Sequence, residues 1–386
     1  MLPKFDDMLN TLVAEPSVSS LSGDIDRSNL RVVEHLAGWL DGLGFTTELL
    51  PLPDAPHKAN LIATYNQGKG EESGGLVLAG HTDTVPYDED KWQSDPFKIT
   101  EKDDLLYGLG ACDMKGFFPI ALQAALPFLN DKLAAPITIV ATCDEESSMA
   151  GARHLAEIGR PKADYAIIGE PTGLAPIFAH KGVAFMSIHL QGSSGHSSNP
   201  DLGCNALDSM YDVMSALIKF RESLAAKHKN PAFDVQIPTM NLGCMHAGDS
   251  PNRICAQAEL QIDLRLLPGM DTDNTLAELQ EQIQEAVARC NTQLEFSTHY
   301  PPVPPFEGNL QGDLTQTLVH YSGNEPSTVA FGTEGHFLQS LGMETVIYGP
   351  GSIDQAHQPN EFLPREQIAP AIETLQQVIQ RYCVNR

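Results

Sequence analysis

Positive charge is scarce in this chain of 386 residues: 24 Lys and Arg face 50 Asp and Glu, a formal net charge of −26. A field of that sign repels phosphate backbones and anionic lipid surfaces, so neither nucleic acid nor a membrane is expected as a partner. A cation, or a cationic or zwitterionic small molecule, suits it better, although most of the charge needs no explanation beyond solubility. Cysteines are few and scattered. The seven, Cys112, Cys143, Cys204, Cys244, Cys255, Cys290 and Cys383, include no CxxC pair, which argues for reduced thiols rather than a disulfide framework. Long apolar runs are missing too. The most apolar stretch, Gly116 to Asn130, is interrupted by Pro119, Gln123 and Pro127 and falls short of the ~20 apolar residues a membrane span needs. The start, MLPKFDDMLN, lacks a basic region followed by an apolar stretch, so no secretory signal and a cytoplasmic location are expected. With hydrophobic residues at 42% and charged residues at 19%, disorder is not expected for most of the chain.

The length exceeds what one hydrophobic core usually serves, and two domains are expected. In the first part, helical and strand patterns alternate. Leu30, Val33, Leu36 or Ala37, and Leu40 recur at helical spacing, and a turn cluster from Asn66 to Gly75 precedes the apolar run Leu76 to Ala79. Helix patterns over Gly116 to Leu129 and Gly151 to Ile158 lead into the strand-like runs Ile137 to Ala141 and Tyr165 to Ile168. Short apolar runs separated by helices predict an α/β fold, a mostly parallel sheet with helices on both faces. The pattern changes after Lys181-Gly182. Strands over 184–191, 238–246, 254–266 and 292–299 alternate with helices over 204–227 and about 273–289, the second presenting Leu276, Leu279, Ile283 and Val287 inward. In the first of these helices Leu207, Met210, Met214 and Leu217 or Ile218 are expected inward. That order, β-α-β-β-α-β, is the ferredoxin-like arrangement and predicts an inserted α+β domain. The expected division is a catalytic domain over 1–182, an insert over 183–301, and the catalytic domain resumed over 302–386 after a Pro-rich stretch.

Four acid- or histidine-bearing clusters each follow a predicted strand or open a helix. In Ala79-Gly80-His81-Thr82-Asp83, residues two apart face the same way on an extended backbone, so Asp83 can reach the His81 imidazole and orient it. Alone, such a pair is more often a structural hydrogen bond. Asp113, in Tyr107-Gly108-Leu109-Gly110-Ala111-Cys112-Asp113, sits where a helix N-cap would sit, and alone such an aspartate is more often a cap than a ligand. Cys143-Asp144-Glu145-Glu146 reads as a solvated acidic loop, or as a ligand beside a carboxylate that faces substrate. Glu170 follows another apolar strand, and His357 lies in the Gly/Pro loop that begins at Gly349. Taken together, His81, Asp113, Glu146, Glu170 and His357 lie at or beyond the carboxyl ends of predicted strands, where open α/β sheets bind ligands. Two histidines and three carboxylates, one of them shared, suit two divalent ions, with zinc favoured and cobalt or manganese also compatible.

The motifs GHTDTVP, YGLGACDMKG, DEESSMAGA, GEPT, GSSGHSS and GPGSIDQAHQPNE resemble those of the di-zinc aminoacylase/carboxypeptidase-type hydrolases, and the resemblance spans nearly the whole chain. It implies that His81, Asp113 and Glu170 hold one zinc and Asp113, Glu146 and His357 the other. It further implies Glu145 as general base and acid, Asp83 behind His81, and His196 as an oxyanion donor reaching a partner subunit's site, hence a homodimer through the insert. The implied reaction is hydrolysis of the amide of a small N-acyl amino acid; desuccinylase, dipeptidase and broad amidohydrolase readings stay open. From a different class, a non-catalytic metal- or amino-acid-binding protein is the alternative, and Glu145 beside a full ligand set argues against it. For substrate, Arg253 and Arg265 offer planar donors to an α-carboxylate, or are structural ion pairs. The loop Gly332-Thr333-Glu334 resembles the family's substrate-contacting loop, with Glu334 either facing a cationic side chain or simply exposed.

Overall fold

The computed structural model describes residues 2–66, 74–129, 133–288 and 292–385. Most of the predicted turn at Asn66–Gly75, the end of the helix expected to reach 289, and Cys290 therefore lie outside the described residues. The chain divides into two compact units: Met1–Phe178 with Gly308–Ser327 and Thr333–Arg386, and Ala179–Glu307 with Thr328–Gly332. The divisions expected from sequence stood at 182/183 and 301/302.

The first unit is built on a sheet whose strands run in the order Thr46–Pro51, Ala59–Tyr65, Ile137–Thr142, Leu76–His81, Tyr165–Ile168, Glu344–Ile347, Ile177–His180, of which only Ile177 and Phe178 of the last strand belong to this unit. The four strands from Ile137–Thr142 to Glu344–Ile347 pair in parallel, and the flanking pairs are antiparallel. Every residue of Leu76–His81 and Ile137–Thr142 is buried, as expected for strands covered on both faces. Alternation shows the two faces. Leu76, Leu78, Ile137, Ile139 and Ile167 join one core cluster with the helices Phe5–Val13, Leu30–Gly42, Phe117–Ala125 and Ile368–Ile379. Their neighbours Val77, Ala79, Val140, Ala166 and Ile168 are buried outside that cluster. The helix Phe117–Ala125 is apolar on nearly all sides and is accordingly enclosed. It is shorter than the predicted helix over 116–129, because Pro127 ends the α-helix in a 3-10 turn, Leu126–Phe128.

The second unit carries the antiparallel sheet Thr239–Ala247, Gln257–Leu266, Gly182–Gln191, Gln293–Thr298, in that order, with helices Ala206–Lys227 and Thr272–Val287. This is the ferredoxin-like order. One inward assignment is corrected: Leu207 is exposed and Met214 only half-buried, while Met210, Val213, Leu217, Phe220 and Leu224 form the buried stripe. The helical period allows either stripe from Leu207 onward, and packing against the sheet selects the one containing Phe220.

Candidate metal centre

The site belongs to the first unit and is assembled at the carboxyl ends of its parallel strands, as that topology favours. His81 is the last residue of its strand, Cys143 to Glu146 follow Ile137–Thr142, and Glu170 lies two residues beyond Ile168. Asp113 stands between the short strand Leu105–Tyr107 and the buried helix Phe117–Ala125, and its peptide bond to Met114 is cis. His357 comes from the loop after Glu344–Ile347, with a left-handed backbone at φ 59°. Close packing demands glycine next to these ligands. A side chain at Gly169 would run into the Phe117 ring, and one at Gly349 would strike the main chain of Gly169 and Glu170.

Side-chain distances tie the ligand candidates together. His81 Nε2 lies 3.0 Å from Asp113 Oδ1, and His357 Nε2 lies 2.9 Å from Glu146 Oε2 and 3.6 Å from Asp113 Oδ2. Ligand atoms of His81, Asp113 and Glu146 all fall within 4.8 Å of one another. Glu170 reaches the same carboxylate through a side-chain hydrogen bond with Asp113. The imidazole of His81 is oriented by its own loop: Nδ1 lies 3.1 Å from the Asp83 carbonyl, which can only accept, so Nδ1 carries a proton and Nε2, here hydrogen-bonded to Asp113, is the nitrogen that would ligate. The Asp83 carboxylate is 3.7 Å from Nδ1, beyond hydrogen-bond range, and accepts instead from the backbone N–H groups of Glu145 (3.2 Å) and Glu146 (3.1 Å). Asp83 thus sets the turn that presents both glutamates.

The electrostatics are those of an anionic pocket. Burial drives the carboxyls of Glu145 and Glu170 well above the usual carboxylate range, and neighbouring acids add to it. Burial also raises Asp83 to about 6. His81 is held well above the ordinary imidazole value: burial opposes its charge, but the Asp113 hydrogen bond and the charges of Glu170 and Glu145 outweigh it. For His357 the Glu146 hydrogen bond wins over burial and lifts it to about 9. Two imidazoles thus answer several buried carboxylates, a set that divalent cations would neutralise more fully. The donors are nitrogen and oxygen. Cys112 Sγ faces the Ser352 carbonyl and Cys143 Sγ faces Asn60 Oδ1, and burial pushes both thiols well above their usual value. The residues present therefore fit hard or borderline divalent ions.

A family model for peptidase family M20/M25/M40 matches residues 77–381. The chain belongs to that family. It is a metal-dependent amidohydrolase, similar over 99% of its length to acetylornithine deacetylases of Yersinia pseudotuberculosis (43% identical, 98% of that chain covered) and Klebsiella pneumoniae (44% identical, 98% covered). Among solved structures, an M20 family metallo-carboxypeptidase from Sulfolobus solfataricus matches with a TM-score of 0.77 at 19% identity, covering 98% of this chain and 99% of the other. A dinuclear metal-binding M20 peptidase from Bacillus subtilis matches at 0.67 with 15% identity and 98% of each chain. At those identities the likeness is one of fold.

The remaining sequence candidates separate. Thr333 and Glu334 are in the first unit; Gly332, His196, Arg253 and Arg265 are in the second. Glu334 is buried, not exposed, and its Oε1 has no hydrogen-bond partner among the described residues. Burial raises it to about 7 against a Thr142 hydrogen bond. In the second unit His196 and Arg253 pair in a β-bridge, and Ser198 N–H donates to His196 Nδ1 at 3.2 Å. Arg253 Nη1 is 2.5 Å from Asp249, whereas Arg265 is gripped by Asp263 through Nε (2.8 Å) and Nη2 (3.1 Å) and lies over the Phe185 ring. Sequence reasoning missed the supports behind the ligands. Lys58 is buried between Asp26 and Asp144, and the carboxylate of Glu361 accepts three backbone N–H groups around Asp113. Glu361 stood in the quoted GPGSIDQAHQPNE motif; Lys58 had no motif to mark it.

Proposed function

We propose that this protein is an acetylornithine deacetylase, hydrolysing the N-acetyl amide of N2-acetyl-L-ornithine to L-ornithine and acetate as a step of arginine biosynthesis in the cytoplasm. The observation that carries the reading is the convergence of the buried His81, Asp113 and Glu145 with the half-buried Glu146 and the exposed His357 in one cluster. The curated deacetylase relatives support the substrate.

Two divalent ions are the resident cofactor, with zinc first by donor type and cobalt next: His81, Asp113 and Glu170 hold one and Asp113, Glu146 and His357 the other. When bound, such ions supply Lewis acidity and a water whose pKa is lowered from 15.7 toward ~7. Glu145 is the general base. Its carboxyl is buried and its turn is held by Asp83, so it takes the proton of the attacking water and returns it to the departing amine. His196 supplies an oxyanion donor: with Nδ1 accepting from Ser198 N–H, a neutral ring carries its proton on Nε2. Arg253, whose pairing with Asp249 is exposed, is the better binder for the substrate carboxylate, and Arg265 is a structural ion pair with Asp263. The Gly332–Glu334 loop meets the substrate side chain, where the unpartnered Oε1 of Glu334 suits an ammonium group. The protein is a homodimer through the second unit; Leu207, Tyr211 and Ile218 leave an exposed apolar stripe along the helix Ala206–Lys227.

Turnover of N2-acetyl-L-ornithine, N-succinyl-diaminopimelate and a dipeptide, each with and without chelator, tests the reading. Chelator-sensitive deacetylation that outpaces the other two is expected. Glu145→Gln should keep the bound ions and lose about 10²–10⁴-fold in turnover; normal activity in that variant refutes the base assignment.

A further inference from the structure

Asp113 is central to the proposed centre, yet it sits on a turn, with no strand or helix fixing its backbone. What fixes it is one side chain. Glu361 is 2% exposed, and its carboxylate accepts from Gly110 N–H at Oε2 (3.0 Å) and from Cys112 N–H and Asp113 N–H at Oε1 (2.8 and 2.9 Å). Gly110 has a left-handed backbone at φ 76°, and the turn aims the N–H groups of Gly110, Cys112 and Asp113 toward one point while Ala111 N–H donates back to the Gly108 carbonyl. Converging N–H groups of this kind form an anion-binding nest, here filled from within the chain. The main chain closes the same clamp. Gly108 N–H donates to the Glu361 carbonyl (3.1 Å), and the next residues, Phe362–Pro364, pair antiparallel with Leu105–Tyr107. Glu361 also lies four residues beyond His357, so it ties the His357 loop to the Asp113 turn.

Holding a turn does not require a charge. A buried carboxylate beside Asp113 is electrostatically costly, and a neutral acceptor would avoid that cost. Once cations offset the neighbouring carboxylates, an ionised acceptor there would form bonds roughly twice as strong, which matters where a ligand must not rotate. We propose that Glu361 is a positioning residue of the metal centre: by filling the Gly110–Asp113 nest it sets the orientation of the Asp113 carboxylate and its spacing from His357. The inference rests on the dinuclear reading above. Glu361 itself touches neither ion nor substrate.

The test compares wild type with Glu361→Gln, Glu361→Ala and, as a remote control, Thr317→Val, which removes the buried 2.8 Å bond to Tyr382. Each metal-free protein is titrated with Co2+ by calorimetry and visible absorption, and melting temperature, kcat and KM are measured. Glu361→Gln keeps a carbonyl oxygen for Cys112 and Asp113 but turns an amide N–H2 toward Gly110 N–H. It is expected to bind at least one Co2+ about 10–100-fold more weakly and with a changed absorption band. Glu361→Ala is expected to be weaker still, with kcat falling more than KM changes. Thr317→Val should melt earlier with wild-type affinity and spectrum. Glu361→Gln folded, with wild-type Co2+ affinity and spectrum, overturns this proposal alone. A control that weakens Co2+ binding as much as Glu361→Gln overturns it as well. A wild type that binds fewer than two ions overturns the dinuclear reading and this proposal with it.

Discussion

Lys58→Met removes a buried cation that no catalytic scheme mentions. Its Nζ lies 2.6 Å from Asp26 Oδ1 and pairs with Asp144 Oδ1, which also accepts from the Ser19 hydroxyl at 2.9 Å. Burial works against the Lys58 charge, yet its bonds to Asp144 and Asp26 raise its pKa, so Lys58 keeps its charge in the folded state. Methionine fills nearly the same space without charge. It leaves the buried carboxylate of Asp144 with no cation beside it, at a residue already in the left-handed region (φ 57°) and directly before Glu145 and Glu146. Removing one partner of a buried pair costs about 3–5 kcal/mol. For a unit of this size that is a fall of roughly 10 °C in melting temperature. The assay is thermal unfolding of Lys58→Met, Asp144→Asn and the double variant, with kcat measured for each. The double variant should lose less than the sum of the singles, with a coupling of about 1–3 kcal/mol, because neutralising both partners strands neither. A single variant melting within about 2 °C of wild type, or strictly additive singles, refutes the reasoning.

The metal-free protein should lose stability as pH rises. Glu334 and Glu361 are raised by burial to about 7 and about 8, so each favours folding below the ordinary carboxylate range, near 4.5, and that contribution is lost as pH climbs through those values. Melting of chelated protein between pH 5 and 9 should show the decline, and saturating Zn2+ should flatten it; a metal-free protein that melts later at pH 8.5 than at pH 6 contradicts the sign. On the second unit, Tyr211→Glu places a charge at a side chain 74% exposed in the isolated chain. If the stripe is a subunit interface, light scattering should show monomer where wild type is a dimer, and an unaltered mass in a dimeric wild type locates the interface elsewhere.

The candidate ligand set was legible in the sequence because metal chemistry restricts residue types and strand ends restrict their positions. His81 and Glu170 follow continuous apolar strands, so their placement needed only the period of the run before them. His357 was harder. It lies far along the chain in a Gly/Pro loop, and only the three-dimensional approach of Glu146 and Asp113 distinguishes it from a surface histidine. The strands Thr46–Pro51 and Ala59–Tyr65 went unread: the first is largely exposed at an edge, without the apolar alternation that marks a half-buried strand. Leu207 shows the reverse error, where periodicity admitted two stripes and the sheet accepted one.

The amino-acid sequence alone determined the α/β core and the ferredoxin-like insert and singled out five candidate ligands, because hydrophobic period and donor chemistry are local properties of the chain. Tertiary structure decided what supports them. Asp83 grips the Glu145–Glu146 turn, Lys58 neutralises the acid before it, and Glu361 fills the nest behind Asp113, across separations of 62 to 251 residues. A hydrogen bond between such distant positions has no spacing rule in sequence. It exists only once the folded backbone has brought donor and acceptor within hydrogen-bond reach, which is why the candidate ligands could be read before folding and their supports only after it.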